Sequence, residues 1–340
     1  MACVSGAALD RLLAFLLAAQ ITTGLISLRA GTPATAPLFL AHGLIGGALL
    51  VAVALKLRRS IGPAIRHRRW LRIALGSLLA LMAAGALVGG LAWVASGRIL
   101  SIGPWTVLTL HVWFALALVP IAAFHLVPRR WRLLRPPSGR RAEDRPGRPM
   151  GRRAVLAVGT IAVLGIAVWG VAGLLDAVQG GVRRFTGSRW LPDGGIPPPT
   201  TFFGETTGPI DVDAWRLHVD GRVARPLELR FADLEGLGVV ERRAVLDCTS
   251  GWAMATDWRG VPVSALLEAS GAKPGARQVT IRAVTGWYAT LPIDEARDAL
   301  LATHVAGDPL PHANGAPCRL VAPNRRGLEW VKWVTEVVVG

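Results

Sequence analysis

Five apolar stretches, at residues 9–28, 37–55, 72–95, 104–127 and 154–175, decide most of what this chain can become. Each is long enough, at about 1.5 Å per residue, to cross a hydrocarbon layer about 30 Å thick. A lipid-exposed segment must satisfy its backbone amides internally, so all five are expected to be helices. The intervening loops are lopsided. Residues 56–72 hold seven Lys/Arg and residues 129–153 hold ten, whereas residues 30–36 and 96–104 hold one between them. Basic loops stay in the cytoplasm, which puts the N-terminus inside and everything after the fifth helix outside. The expected product is a multi-pass protein of the cell membrane with an extracytoplasmic C-terminal part.

Charge follows the same division. Of 38 Lys/Arg, 20 fall in residues 1–175 against three acids, while residues 176–340 carry 18 against 19. The net charge of +16 therefore belongs to the apolar half and orients helices. A groove for nucleic acid would need basic residues and aromatics interleaved on a soluble surface, and none is present. Three cysteines, Cys3, Cys248 and Cys318, form neither a disulfide framework nor a CxxC metal site.

The organisation expected is a four-helix bundle over 1–128, a basic linker over 129–153 and a fifth helix over 154–176. A Gly/Pro-rich linker over 177–200 then leads to an α+β domain over 201–340. Strands are predicted at WRLHVDG, AVLDC, RQVTIRAV, PCRLVAP and WVKWVTEVVV, and short helices at FADLEGL, VPVSALLEASG and PIDEARDALL.

Three of the seven histidines, His42, His111 and His125, fall in the apolar segments, where ionisable side chains are functional suspects. His42 and His111 lie at similar depth near the outer surface, as two axial ligands of a haem b would. Gly43, Gly46 and Gly47 would let a flat macrocycle approach the backbone. His125, 14 residues beyond His111, returns to within about 40° of the same face roughly 21 Å deeper. Its counterpart on the second helix would be residue 56, which is Lys, so an inner haem lacks a ligand unless His67 of the basic loop, otherwise a solvated or headgroup-facing side chain, replaces it. Interhelical hydrogen bonds in a plain anchor are the alternative. Arg152–Arg153, ahead of the fifth apolar run, resembles a twin-arginine export signal, or simply adds two positive-inside charges.

The C-terminal part carries AWRLHVDGRVARPLEL, LDCTSGWAMATDWRGVPVSALL, LPIDEA, NGAPCRLVAP and GLEWVKWV in that order. With these blocks residues 212–340 resemble the molybdenum-cofactor domain of the sulfite oxidase superfamily, and within it the periplasmic methionine-sulfoxide reductase catalytic subunits. The resemblance implies that Cys248 is the protein thiolate on molybdenum, beside the dithiolene of a molybdopterin. It implies pterin contacts for Asn314 and Arg319, and a pterin and phosphate grip by Trp330, Val331 and Lys332. It places Phe203 in an N-terminal cofactor segment, although TTFFGET departs from the family pattern there. A threonine that touches the cofactor in the reductase falls near Ala283, so that contact is not carried over.

Tyr288 stands where relatives place an aromatic beside the metal. Asp247, His304 and His312 are candidate proton donors, and Arg325 and Arg326 either attract an anionic substrate or face solvent. Cys318 is expected in the core. The function implied is oxygen-atom transfer to or from a small or protein-bound S- or N-oxide, with electrons from quinol or a membrane electron-transfer protein through haem b. Sulfite oxidation, a cofactor-free binding or assembly domain, and a molybdenum enzyme on a plain anchor are the rivals.

Overall fold

The computed structural model describes residues 6–66, 70–126, 152–201 and 204–340. The chain forms two compact units, Met1–Ser27 with Ala36–Val182, and Leu28–Thr35 with Arg183–Gly340. His67, Cys3, Phe203 and most of the basic linker lie outside the described residues.

The first unit contains α1 (Gly6–Ser27), α2 (Ala36–Arg66), α3 (Trp70–Ala95), α4 (Val107–Leu126) and α5 (Arg152–Val178). All five are long and apolar enough to cross a membrane. Helix α2 runs eleven residues past its apolar stretch, since Lys56, Arg58 and Arg59 are good helix formers and their charges can reach water. A short hairpin of β1 (Ser101–Ile102) and β2 (Trp105–Thr106) joins α3 to α4.

Small residues set the helix crossings, as packing without a hydrophobic driving force requires. A side chain at Gly47 would strike the Gly165 carbonyl, and one at Gly165 the Ala48 backbone, so α2 and α5 meet main chain to main chain. Gly43 receives the Trp169 ring and Gly46 the Gln20 amide. The glycines expected to face a macrocycle are therefore filled by neighbouring helices. Lys56 pairs with Asp10 of α1 at 2.6 Å, which explains a lysine where a second haem would want a ligand.

The second unit is α+β. One sheet has the order β5 (Leu227–Leu229), β4 (Leu217–Gly221), β13 (Val334–Val339), β8 (Gln278–Ala283), β9 (Tyr288–Pro292), with β4 and β13 parallel and the rest antiparallel. Its period-2 patterning is plain: Leu217, Val219, Val279, Ile281 and Val337 are buried while His218, Asp220 and Gln278 are not.

The other sheet is built around β7 (Trp252–Pro262), flanked by β6 (Val240–Asp247), β3 (Arg189–Trp190) and β10 (Leu300–Val305). Strand β10 also pairs with β11 (Asp308–Pro309) and β12 (Arg319–Val321). Helices α6 (Phe231–Gly236), α7 (Val263–Ser270) and α8 (Ile293–Arg297) cover the sheets.

Two expectations need correction. The helix predicted through PIDEARDALL stops at Arg297, and Leu300–Val305 is a central strand. Leu300, Leu301 and Ala302 are all fully buried between β7 and β12, and such an unbroken apolar run has no period to tell strand from helix. In WVKWVTEVVV only the last six residues form a strand. Trp330–Trp333 is irregular, with Trp333 at a positive φ of 50°.

Candidate active site

Strand β6 ends at Asp247 and β7 begins at Trp252, so Cys248–Gly251 forms the connecting turn. The Gly251 amide donates to the Cys248 carbonyl (2.9 Å), and the Cys248 amide to the Trp252 carbonyl (2.8 Å). Gly251 sits at φ 102°, a conformation that side-chain-bearing residues avoid. The tight turn aims the Ser250 amide at Cys248 Sγ, 3.4 Å away. Burial pushes the thiol pKa up, while the Ser250 amide, the Arg326 guanidinium and the Thr200 hydroxyl each pull it down. The net shift is upward, so the cysteine is a neutral thiol until a metal displaces its proton.

Two cations face this thiol. Arg319, at the start of β12, is 2% exposed. It donates to the carbonyls of Asn314 (3.0 Å) and Trp330 (3.2 Å) and lies over the rings of Trp258 (5.2 Å) and Trp330 (5.8 Å). Its Nε is buried without a hydrogen-bond partner. Lys332 donates to the carbonyls of Thr200 (2.9 Å) and Ala313 (2.8 Å). Burial lowers Arg319 to about 10, partly offset by Cys248. Burial, then the neighbouring Arg319, lowers Lys332 to about 8. Among the described residues neither cation has a carboxylate within ion-pairing distance.

Asn314 ends a 3-10 turn, His312–Asn314, and donates its side-chain amide to the Pro197 carbonyl (2.9 Å). The next residue, Gly315, has φ 114°, and a Cβ there would press on Lys332 and Arg319. That glycine lets the two basic side chains come together. Trp330 and Val331 are buried beside them, and Trp330 Nε1 donates to the Arg325 carbonyl (3.1 Å). The structure thus gathers Cys248, Asn314, Arg319, Trp330 and Lys332, with Thr200 and Ser250 added. These last two could be suspected only from their closeness in sequence to segments already singled out.

Other candidates fall elsewhere. Tyr288 is 60% exposed on β9, with the Arg282 guanidinium over its ring. Its neighbour Trp287 donates instead to the Leu328 carbonyl (3.1 Å). His304 is tied to Thr303 and Arg259, and His312 to the Thr207 carbonyl and the Trp333 ring. Asp247 is no free proton donor. Its oxygens accept from Arg184 (2.5 Å), Thr186 (2.8 Å) and Ser188 (2.6 Å), and Arg326 lies 3.3 Å away. Arg326 neither faces solvent nor awaits an anion, because it is buried and donates to the Cys248 carbonyl (3.0 Å). Arg325 pairs with Glu295 and Glu329. Cys318 is fully buried, as a core residue should be.

Residues 204–340 match the oxidoreductase molybdopterin-binding domain family. The chain is 32% identical over 152 residues to the uncharacterized oxidoreductase YuiH of Bacillus subtilis, covering 42% of this chain and 77% of YuiH. The chain belongs to this family. It is also 32% identical over 146 residues to the protein-methionine-sulfoxide reductase catalytic subunit MsrP of Xanthomonas campestris, covering 38% of this chain and 45% of MsrP. Among solved structures, the sulfane dehydrogenase SoxCD of Paracoccus pantotrophus aligns with TM-score 0.37 and 26% identity, covering 38% of this chain and 39% of that one. The chain thus spans less than half the length of the reductase and dehydrogenase it matches. Like its family it is a molybdopterin-binding oxidoreductase. The residues fit the group: a soft sulfur donor faces buried Arg319 and half-buried Lys332, neither with a carboxylate at ion-pairing distance among the described residues, and Arg319 Nε has no hydrogen-bond partner there.

In the first unit, His42 and His111 stand with ring centroids 6.1 Å apart and planes at 89°. His111 Nδ1 donates to the Ala86 carbonyl (2.6 Å), the arrangement that frees Nε2 for a metal. His42 has neither nitrogen free: Nε2 meets Gln20 Nε2 at 3.0 Å and Nδ1 meets Thr23 Oγ1 at 2.9 Å. His125 lies in the last turn of α4.

Proposed function

We propose that this protein is a membrane-bound molybdopterin enzyme that reduces an S- or N-oxide, methionine sulfoxide being the model substrate, with electrons drawn from quinol. Cys248 carries the proposal: a buried thiol at a tight turn, opposed by buried Arg319 and half-buried Lys332, neither ion-paired with a carboxylate among the described residues. When bound, the molybdenum group supplies two-electron oxygen-atom transfer. Cys248 would hold the metal as thiolate, while Arg319 and Lys332 would grip the anionic pterin phosphate by charge-assisted hydrogen bonds. Asn314 and Gly315 shape the backbone beside these two cations. Burial by Trp258 and Trp330 keeps water away and strengthens each of these interactions. Reducing a sulfoxide consumes two electrons and two protons and releases water. The MsrP relatives, named for that reaction, favour this direction over sulfite oxidation.

The five helices hold the enzyme in the cell membrane with its catalytic unit on the extracytoplasmic side, in keeping with the basic loops at 56–72 and 129–153. A haem b between His42 and His111 is the electron carrier in this scheme. The closeness of the two rings, with centroids 6.1 Å apart, and the His111 Nδ1 bond to the Ala86 carbonyl favour these two residues as the ones that would hold it. His42 must release Gln20 to ligate. The filled glycines Gly43, Gly46 and Gly47 favour a second reading, in which the helices only anchor the enzyme and a separate protein supplies electrons.

Elemental analysis of detergent-purified protein, with turnover on methionine sulfoxide and on sulfite, tests all of this. Molybdenum and iron near one each, with sulfoxide turnover, support the scheme. Molybdenum without iron leaves the anchored enzyme, and sulfite turnover alone reverses the direction. Protein without molybdenum from a competent host overturns the assignment of Cys248.

A further inference from the structure

The unit that carries the cysteine site also includes Leu28–Thr35, the loop between α1 and α2. Ala30 forms an antiparallel bridge with Arg325, and Arg326 forms a parallel bridge with Asp247. Gly31 is buried, and a Cβ on it would come within 2.6 Å of the Asn324 carbonyl oxygen and 2.9 Å of the Arg325 carbonyl carbon. Only a glycine lets the loop lie this close. Asn324 holds a positive φ of 69° there. Arg184 reaches the Gly31 carbonyl (3.4 Å) with one nitrogen and Asp247 (2.5 Å) with the other. Arg326 touches Ser188 (3.2 Å), Asp247 (3.3 Å) and the Cys248 carbonyl (3.0 Å). A continuous set of contacts therefore runs from this loop to the residue that presents the thiol.

We infer that Leu28–Thr35 is a working part of the cysteine site: by seating on Asn324–Arg325 it sets Arg184 and Arg326, which fix the Cys248 main chain and so the direction of its sulfur. This rests on Cys248 being the metal ligand. The positioning residues are Gly31, Arg184 and Arg326; none touches substrate. The loop joins α1, which bears Gln20 and Thr23, to α2, which bears His42.

The test uses the full chain in detergent, as Gly31→Val and Arg184→Gln, with Ala34→Val on the exposed side of the same loop as control. Hydrogen exchange at residues 246–252 and 324–328 reads the backbone whether or not cofactor is bound, and is expected to rise about tenfold or more in both variants. In loaded protein, molybdenum content stays within about twofold, and the electron paramagnetic resonance of the half-reduced metal shifts. With a soluble dye donor kcat falls about tenfold at unchanged KM, as small misplacements of a reacting group produce. Ala34→Val changes nothing.

Unchanged exchange and an unchanged spectrum in both variants overturn the inference. So does loss of quinol-driven turnover alone with normal dye turnover, which would make the loop an electron-entry element. Should Gly31→Val fail to insert, Arg184→Gln, which leaves the loop sequence intact, carries the test. Wild-type protein without molybdenum would sink the Cys248 assignment, and the exchange data would still decide whether the loop orders the turn.

Discussion

Replacing Arg319 with methionine separates a cofactor-gripping arginine from a structural one. Without the cofactor, burial lowers the guanidinium from its ordinary value to about 10. At about 1.4 kcal/mol per unit, its charge is disfavoured by about 3 kcal/mol. Methionine removes that cost and fills a similar volume, but leaves the carbonyls of Asn314 and Trp330 without their donor. Each unsatisfied carbonyl costs about 1–3 kcal/mol, so the two effects offset and the empty protein should melt close to wild type.

The loaded protein behaves differently. Losing one charge-assisted hydrogen bond of about 1.5–3 kcal/mol weakens cofactor affinity about 10–100-fold. For a unit of this size that trims the loading-induced rise in Tm by about 3–12 °C. The assay is a melt of empty and loaded protein in detergent, paired with molybdenum content. If the empty variant loses about 3–5 kcal/mol, as when a buried charge loses its partner, and the loading increment is unchanged, Arg319 is a structural strut. The reasoning from uncompensated charge would then be wrong.

Other expectations follow from the same geometry. Cys248→Ser keeps the fold, because the site is a turn closed by backbone bonds, but loses molybdenum by elemental analysis and with it all turnover. Lys332 is lowered from 10.5 to about 8, so the empty unfolded chain binds the extra proton between those values and empty-protein stability rises with pH across that window. Cofactor release, followed by pterin fluorescence, should speed up at high pH, well above 8, since a bound phosphate would raise the lysine before its ammonium is lost. His42→Ala or His111→Ala abolishes any haem absorbance while leaving molybdenum content unchanged. Tyr288→Phe changes kcat less than about twofold, since an exposed side chain stacked on Arg282 has little hold on the reaction.

The helices were legible because about 20 consecutive apolar residues admit one backbone solution in lipid. The strands that alternate, β4 and β8, were legible for a similar reason: one buried face writes a period of two. Strand β10 was not, because both of its faces are covered and the period disappears. Cys248, Arg319 and Lys332 were legible only through family blocks, since nothing local marks a cysteine as a ligand. Arg326 was read as either attracting an anionic substrate or facing solvent, because its partners, Ser188 and Asp247, lie 138 and 79 positions away. Gly43, Gly46 and Gly47 were read as an opening, yet small residues in lipid invite the nearest helix first.

Asp247 and Cys248 are adjacent, yet the fold treats them in opposite ways. The carboxylate is surrounded by Arg184, Arg326 and two hydroxyls, so its charge is settled by the protein alone. The thiol faces Arg319 and Lys332, whose charges the protein leaves unsettled. A buried network that is complete specifies one geometry, whereas an incomplete one is stable only when something else completes it. The completed half holds the turn, and in the proposed function an anion and a metal would complete the other. Placing the two halves on consecutive residues lets a rigid support reach the metal through a single peptide unit. Any change that loosens Asp247 should therefore be felt at the sulfur before it is felt in the fold.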